Sequence, residues 1–124
     1  MAETQAGFGY AASPAVYEET ALLNAKQQAK SGAFKQYNID IDNQSNAIVY
    51  VKAYFKSAGD VIVGTTAPDE IYAVPTLTRI NEVCVAAVDV ELPTGLTLAA
   101  VTTPGTAGVT SPAAGNVAVR VTFE

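Results

Sequence analysis

Residues 116–123 read Asn-Val-Ala-Val-Arg-Val-Thr-Phe, so Val117, Val119, Val121 and Phe123 fall on one side of an extended chain and Ala118, Arg120 and Thr122 on the other. Successive side chains of a strand point to opposite faces, so this alternation fits a strand with one dry and one wet face. The same period of two recurs at 37–42, where Tyr37, Ile39 and Ile41 alternate with Asn38, Asp40 and Asp42. Residues 48–55 are β-branched and aromatic, with Val49, Val51, Ala53 and Phe55 on one face and Ile48, Tyr50, Lys52 and Tyr54 on the other. Shorter candidate strands at 61–63, 71–74, 76–81, 83–90 and 96–102 are separated by Gly- and Pro-bearing stretches at 57–59, 67–69, 93–95 and 103–115. Many short strands with such punctuation predict a mainly β fold, an antiparallel β-sandwich of jelly-roll or Ig-like type, rather than βαβ units.

Asn43-Gln-Ser-Asn46 supplies turn chemistry between 37–42 and 48–55, and a hairpin is expected there. The 124 residues suit one domain and leave little room for a second core. The sandwich is expected over 32–124, preceded by an extended N-terminal arm over 1–31. Residues 1–14 are mostly Ala, Gly, Ser and polar, too poor in aliphatic side chains for a core, with Phe8, Tyr10 and nearby Tyr17 as candidate anchors on a partner. Two readings stand side by side for 14–31. Ser13 as N-cap, Pro14 in the first turn, Glu18 and Glu19 early, Lys26 and Lys30 late and Gly32 as terminator spell a short helix. Against that, the helical apolar face is thin and Ala-rich, and Lys30-Ser-Gly-Ala-Phe34 suits a turn between strands.

Composition narrows the chemistry. The chain has no histidine, the usual group for proton transfer near neutral pH. Asp40 and Asp42 point the same way from one strand, and Asp69-Glu70 sits at a turn. Such carboxylates ordinarily form a solvated face; glycoside hydrolysis also wants a cleft with stacking aromatics, and the chain lacks Trp. No calcium loop, Walker loop, dinucleotide fingerprint, nucleophile elbow or zinc spacing occurs. No enzyme activity is expected, and no catalytic, cofactor-binding or metal residues are assigned. The one cysteine, Cys84, lies in Glu82-Val-Cys-Val-Ala-Ala and reads as a small buried hydrophobe. Asn43-Gln-Ser45 matches a glycosylation sequon, which matters only in a secreted eukaryotic chain and is discounted.

A net charge of −5 with no Lys/Arg cluster argues against direct nucleic-acid binding. No apolar stretch approaches the roughly 18 residues of a membrane helix, and 1–7 shows no export signal, so neither membrane nor secretion is expected. Only 15% of residues are charged, so the surface offers little repulsion to a neighbouring subunit and suits burial in an oligomer. Tyr50, Tyr54 and Tyr72 are candidates for a sugar-stacking platform, their plainer use being cross-strand packing. Gly64-Thr-Thr-Ala-Pro68 and Gly108-Val-Thr-Ser-Pro112 echo one another, as two turns of shared chemistry.

Five segments in order, Ser31-Gly-Ala-Phe34, Ile39-Asp-Ile-Asp-Asn43, Val49-Tyr-Val-Lys-Ala-Tyr54, Val63-Gly-Thr-Thr-Ala-Pro-Asp69 and Gly95-Leu-Thr-Leu98, carry a likeness over about three quarters of the chain. In them the chain resembles a group of small phage virion proteins of the capsid decoration (cement) type. The resemblance implies a β-sandwich subunit of a bacteriophage particle that binds the major capsid protein as a homo-oligomer, a trimer being favoured. It also implies a strand just before Gly32. Tail or fibre-associated components, and a carbohydrate-binding sandwich, are the alternatives. The motifs imply a fold, and no functional residue is carried over.

Overall fold

The computed structural model describes residues 15–83 and 94–123. Eight strands are present: β1 (Ala15–Glu19), β2 (Gln27–Ser31), β3 (Gln36–Asn43), β4 (Val49–Tyr54), β5 (Glu70–Val74), β6 (Thr78–Val83), β7 (Gly95–Val101) and β8 (Val117–Phe123). They form two four-stranded sheets, ordered β1-β8-β3-β6 in sheet A and β2-β7-β4-β5 in sheet B. Every pairing is antiparallel. Successive strands therefore alternate between the sheets except at β4–β5, which is the wrapping of a jelly roll. Of the two sandwich types the sequence left open, the strand order selects this one.

The core is the sum of the dry faces. Ile39 and Ile41 of β3 and Val117, Val119, Val121 and Phe123 of β8 meet Val49, Val51 and Ala53 of β4 and Leu96, Leu98 and Ala100 of β7. Phe34 closes one end, its ring edge-on to Phe123 at 6.2 Å between centroids. Leu22, on the β1–β2 crossover, is fully buried in the same cluster.

Residues 15–31 are part of the sandwich, which places the sheets' first strands before the boundary expected at residue 31. β1 pairs with β8 from Ala15↔Phe123 to Glu19↔Val119, and β2 pairs with β7. Strands thus replace the helix alternative, because Tyr17 and Ala29 gain a core to pack against that a lone Ala-rich helix lacks. The residues that looked like helix signals have other uses. Glu19 accepts a hydrogen bond from the Ala21 amide at 3.1 Å, the Lys30 ammonium lies 6.0 Å from the Phe123 ring centroid, and Gly32 leaves β2 at φ +84°. The arm over 1–14, with Phe8 and Tyr10, lies outside the described residues, as does Cys84.

The expected hairpin is a crossover instead: β3 lies in sheet A between β8 and β6, and β4 in sheet B between β7 and β5. Both strands have an apolar face, and stacking those faces buries more than pairing the edges. Asn43 turns this corner. Its buried carboxamide donates to the carbonyls of Ala47 (2.8 Å), Val74 (3.1 Å) and Pro75 (3.1 Å), and its Oδ1 accepts from the Ser45 amide (2.9 Å) and hydroxyl (2.6 Å). The strand expected at 61–63 is not formed. A 3-10 turn at Ala58–Asp60 leads into a loop in which Val61 is buried and Ile62 exposed. Of 83–90, Val83 ends β6 and the rest lies outside the described residues.

Candidate functional site

The two outer faces of the sandwich are chemically different. Sheet A presents a wet row, of which alternation foresaw Asp40 and Arg120: Glu18 of β1 lies opposite Arg120 of β8, and Arg120 opposite Asp40 of β3. Arg120 binds Glu18 at 2.7 Å. Arg79, on edge strand β6, reaches Asp40 through Nε at 2.9 Å and Nη2 at 2.5 Å, a two-pronged contact. Asp42 accepts a 2.6 Å bond from the Gln44 amide nitrogen, and Ala118 lies opposite it in the ladder. Because Ala118 is small, these residues surround an open depression of about 220 Å³.

Asp40 and Asp42 share this face, as the sequence indicated. The hydrogen bonds from Arg79 hold the Asp40 carboxyl below its ordinary range, against a smaller opposing effect of partial burial. A general acid needs the reverse shift. The paired charges make this face a self-satisfied ladder, with both arginines already engaged by carboxylates.

The two central strands of sheet B are dry on both sides, while its edge strands β2 and β5 are largely exposed. All of β7 is buried, and β4 is buried except at Tyr50. The cover is supplied by two long loops, 55–69 and 102–116. Lys52, fully buried, donates from Nζ to the carbonyls of Thr106 (3.0 Å) and Gly108 (2.7 Å), fastening the second loop over the sheet. Thr97 donates to the Lys56 carbonyl at 2.9 Å, fastening the first. The β1–β2 crossover ties both down, with Lys26 Nζ on the Val61 carbonyl (2.5 Å) and the Asn24 amide group on the Val109 carbonyl (2.9 Å). The loops also touch each other, since a Cβ on Gly64 would lie 2.5 Å from Val109 Cγ1. The echoed Gly64–Pro68 and Gly108–Pro112 segments are therefore neighbouring loop pieces of one cover.

Among the described residues Lys52 has no carboxylate as a hydrogen-bond partner, and loss of solvent pushes its ammonium pKa down. Two residues on, Tyr54 is equally buried, its hydroxyl has no hydrogen-bond partner among the described residues, and burial pushes its pKa up. Sequence reasoning put both on the face opposite Val49, Val51, Ala53 and Phe55 and did not foresee the burial of the lysine. Its signal was the long Thr/Gly-rich 103–115 stretch, which had to lie against some part of the sandwich.

The three tyrosines considered for a sugar platform are not brought together. Tyr54 is under the loops, Tyr50 is half-buried on the same outward row, and Tyr72 packs against the core while donating to Glu70. Asp69 caps a loop, accepting from the Phe55 amide at 2.7 Å beside Lys56 at 3.7 Å. Among the described residues no three His, Cys, Asp or Glu side chains are grouped to hold a metal, and no helix is long and apolar enough to cross a membrane.

Fold and surface together define the class: a jelly-roll β-sandwich with one ion-laced face and one loop-covered face. No protein family and no curated protein matches the chain.

Proposed function

We propose that the chain is a structural virion protein, a capsid decoration (cement) subunit that stabilises a bacteriophage head by bridging shell subunits. In this reading it works as a homo-oligomer, a trimer being favoured, on the major capsid protein. The supporting observation is that each of the five motifs of the resemblance holds a residue that fixes a joint of the jelly roll. Gly32 ends β2 at φ +84°, and Gly95 opens β7 at φ +141°, where a Cβ would lie 2.7 Å from the Lys30 carbonyl. Asn43 turns the β3–β4 corner, Lys52 fastens the 102–116 loop, and Asp69 caps the 55–69 loop. A likeness carried by joint residues is a likeness of scaffold, which a cement protein uses as a rigid body between neighbours.

The body suits that work. A cement subunit resists expansion of a shell, so compliant loops would waste its contacts, and here the side chains of Asn24, Lys26, Lys52 and Thr97 pin the long loops. Cryo-electron microscopy of the particle that contains the protein tests the proposal, the expected result being density on the outer shell around symmetry axes. Density confined to the tail would overturn it in favour of a tail or fibre-associated component. Deleting residues 1–13 is expected to lower occupancy on the shell while leaving the sandwich folded.

A further inference from the structure

Across the outer face of sheet A the charges alternate in sign from strand to strand. Glu18 of β1, Arg120 of β8 and Asp40 of β3 stand side by side in the ladder register. Arg79 of β6 completes the row, its guanidinium brought into line by its two-pronged contact with Asp40. Adjacent strands lie about 4.8 Å apart, so the row runs minus, plus, minus, plus over roughly 14 Å.

Each charge is paired once within the chain, and capacity remains. The side chains of Arg79, Arg120 and Glu18 are 64%, 56% and 51% exposed. A guanidinium has five N–H donors, and Arg120 uses Nη2 on Glu18. Arg120 is the middle residue of β8, and Asp40 lies near the middle of β3. Two sheets packed face to face keep their strands within about 30° of one another, so they approach most closely at mid-strand, where this row runs.

A partner for the row must present plus, minus, plus, minus at the same spacing. The chain carries that surface itself. Turned about a two-fold axis parallel to the strands and passing between β8 and β3, a second copy lays its β6 over β1 and its β3 over β8. Glu18 then meets Arg79 of the other copy and Arg120 meets its Asp40, each contact occurring twice. Asp42 comes to lie over Ala118, whose small side chain leaves the depression of about 220 Å³. A two-fold axis running across the strands would set like charge on like, so the signs select one arrangement. A shell subunit would have to reproduce the order and spacing by a separate route, whereas a copy has them necessarily. Four strands cover about 19 Å by 20 Å, below the roughly 800 Å² per partner of a stable interface, so the contact is weak and screened by salt. We infer that the outer face of sheet A is a self-recognition surface, on which two copies of the chain pair about a two-fold axis parallel to the strands. This pairing is separate from the virion reading, whose favoured trimer uses a three-fold axis.

The test follows self-association of the full chain by sedimentation, with thermal stability alongside, at about 0.01 M and about 1 M salt, where the Debye length is roughly 30 Å and 3 Å. The unaltered chain is expected to associate about tenfold or more tightly at the lower salt. Glu18→Lys and Arg79→Glu each set like charges together at two places. Each is expected to weaken association about tenfold or more, with Tm little changed because both side chains are exposed. In an equimolar mixture the two reversed signs face each other, so the variants together are expected to associate as tightly as the unaltered chain. A mixture no better than its components would overturn the inference, as would association indifferent to salt and to both substitutions. An unaltered chain that stays monomeric at the lower salt would overturn it too, whether or not the variants fold. The cement reading is judged apart from this, by density on the shell.

Discussion

Sheets A and B are built from the same number of strands, yet their outer faces solve opposite problems. Sheet A keeps its face wet, spending Glu18, Arg120, Asp40 and Arg79 on one another across four strands. Sheet B keeps the outer face of its central strands β4 and β7 dry and fastens the cover with a buried lysine. The pairs of sheet A sit in high dielectric and are screened by salt, whereas Lys52 lies where each unmet hydrogen bond is costly. Stability should therefore be far more sensitive to change on sheet B than on sheet A.

The largest effect is expected at Gly108. A Cβ there would lie 2.1 Å from the Thr103 carbonyl oxygen, which is backbone and cannot swing aside. Gly108→Ala should cost about 2–4 kcal/mol by chemical denaturation, since the loop must shift off Lys52. Next comes Lys52→Ala, expected to cost about 2–4 kcal/mol by opening a cavity and stranding two carbonyls. Lys52→Met keeps the volume and removes a buried charge that has no counterion among the described residues, so it should cost much less than alanine or add stability. If alanine and methionine cost the same, the lysine is not the fastening of the loop.

Lys52 also gives a pH signature. Its folded pKa is depressed, so burial of the charged form penalises folding at all pH values below that folded value. The penalty is relieved as pH climbs from there toward the unfolded value of 10.5, because the unfolded chain then binds more protons. Tyr17 and Tyr54 act oppositely: their raised folded values make the unfolded chain lose protons first, so stability falls above about pH 10. Subtracting the Lys52→Met profile from that of the unaltered protein isolates the lysine, and the difference should shrink on the alkaline side.

A smaller effect is expected for Tyr54→Phe, which removes an unpartnered buried hydroxyl and should gain up to about 1 kcal/mol. Smallest of all should be Asp40→Asn on the ion-laced face. Its folded pKa is lowered, so its contribution is present above 3.8 and lost as pH falls through the folded value. The variant should flatten the acid limb of the stability curve and differ little from the unaltered protein at high salt. A larger loss here than at Lys52 would invert the comparison between the faces.

The same contrast explains what could be read from the chain. Strands β3 and β8 were legible because sheet A is wet outside, so Asp40, Asp42 and Arg120 print the period of two onto the sequence. Strand β4 was located and its faces divided, but the burial of Lys52 and Tyr54 was not legible: both carry polar atoms, and the loop that buries Lys52 arrives from more than fifty positions away. The β3–β4 corner failed for a related reason. Asn43-Gln-Ser-Asn46 has the chemistry of a hairpin turn, and what makes it a crossover is long-range bonding to Val74 and Pro75.

The placing of β8 between β1 and β3 has a kinetic consequence. Neither of those strands has its ladder partner on that side until residues 117–123 are available, and the first described strand then pairs with the last. During synthesis sheet A is left with a gap at its centre while sheet B can already assemble from β2, β4, β5 and β7. Such a topology folds late and over long loops, with apolar strand faces uncovered in the interval. The wet, charge-paired face of sheet A is then also a safeguard, because the half that waits longest is the half that least invites a stranger.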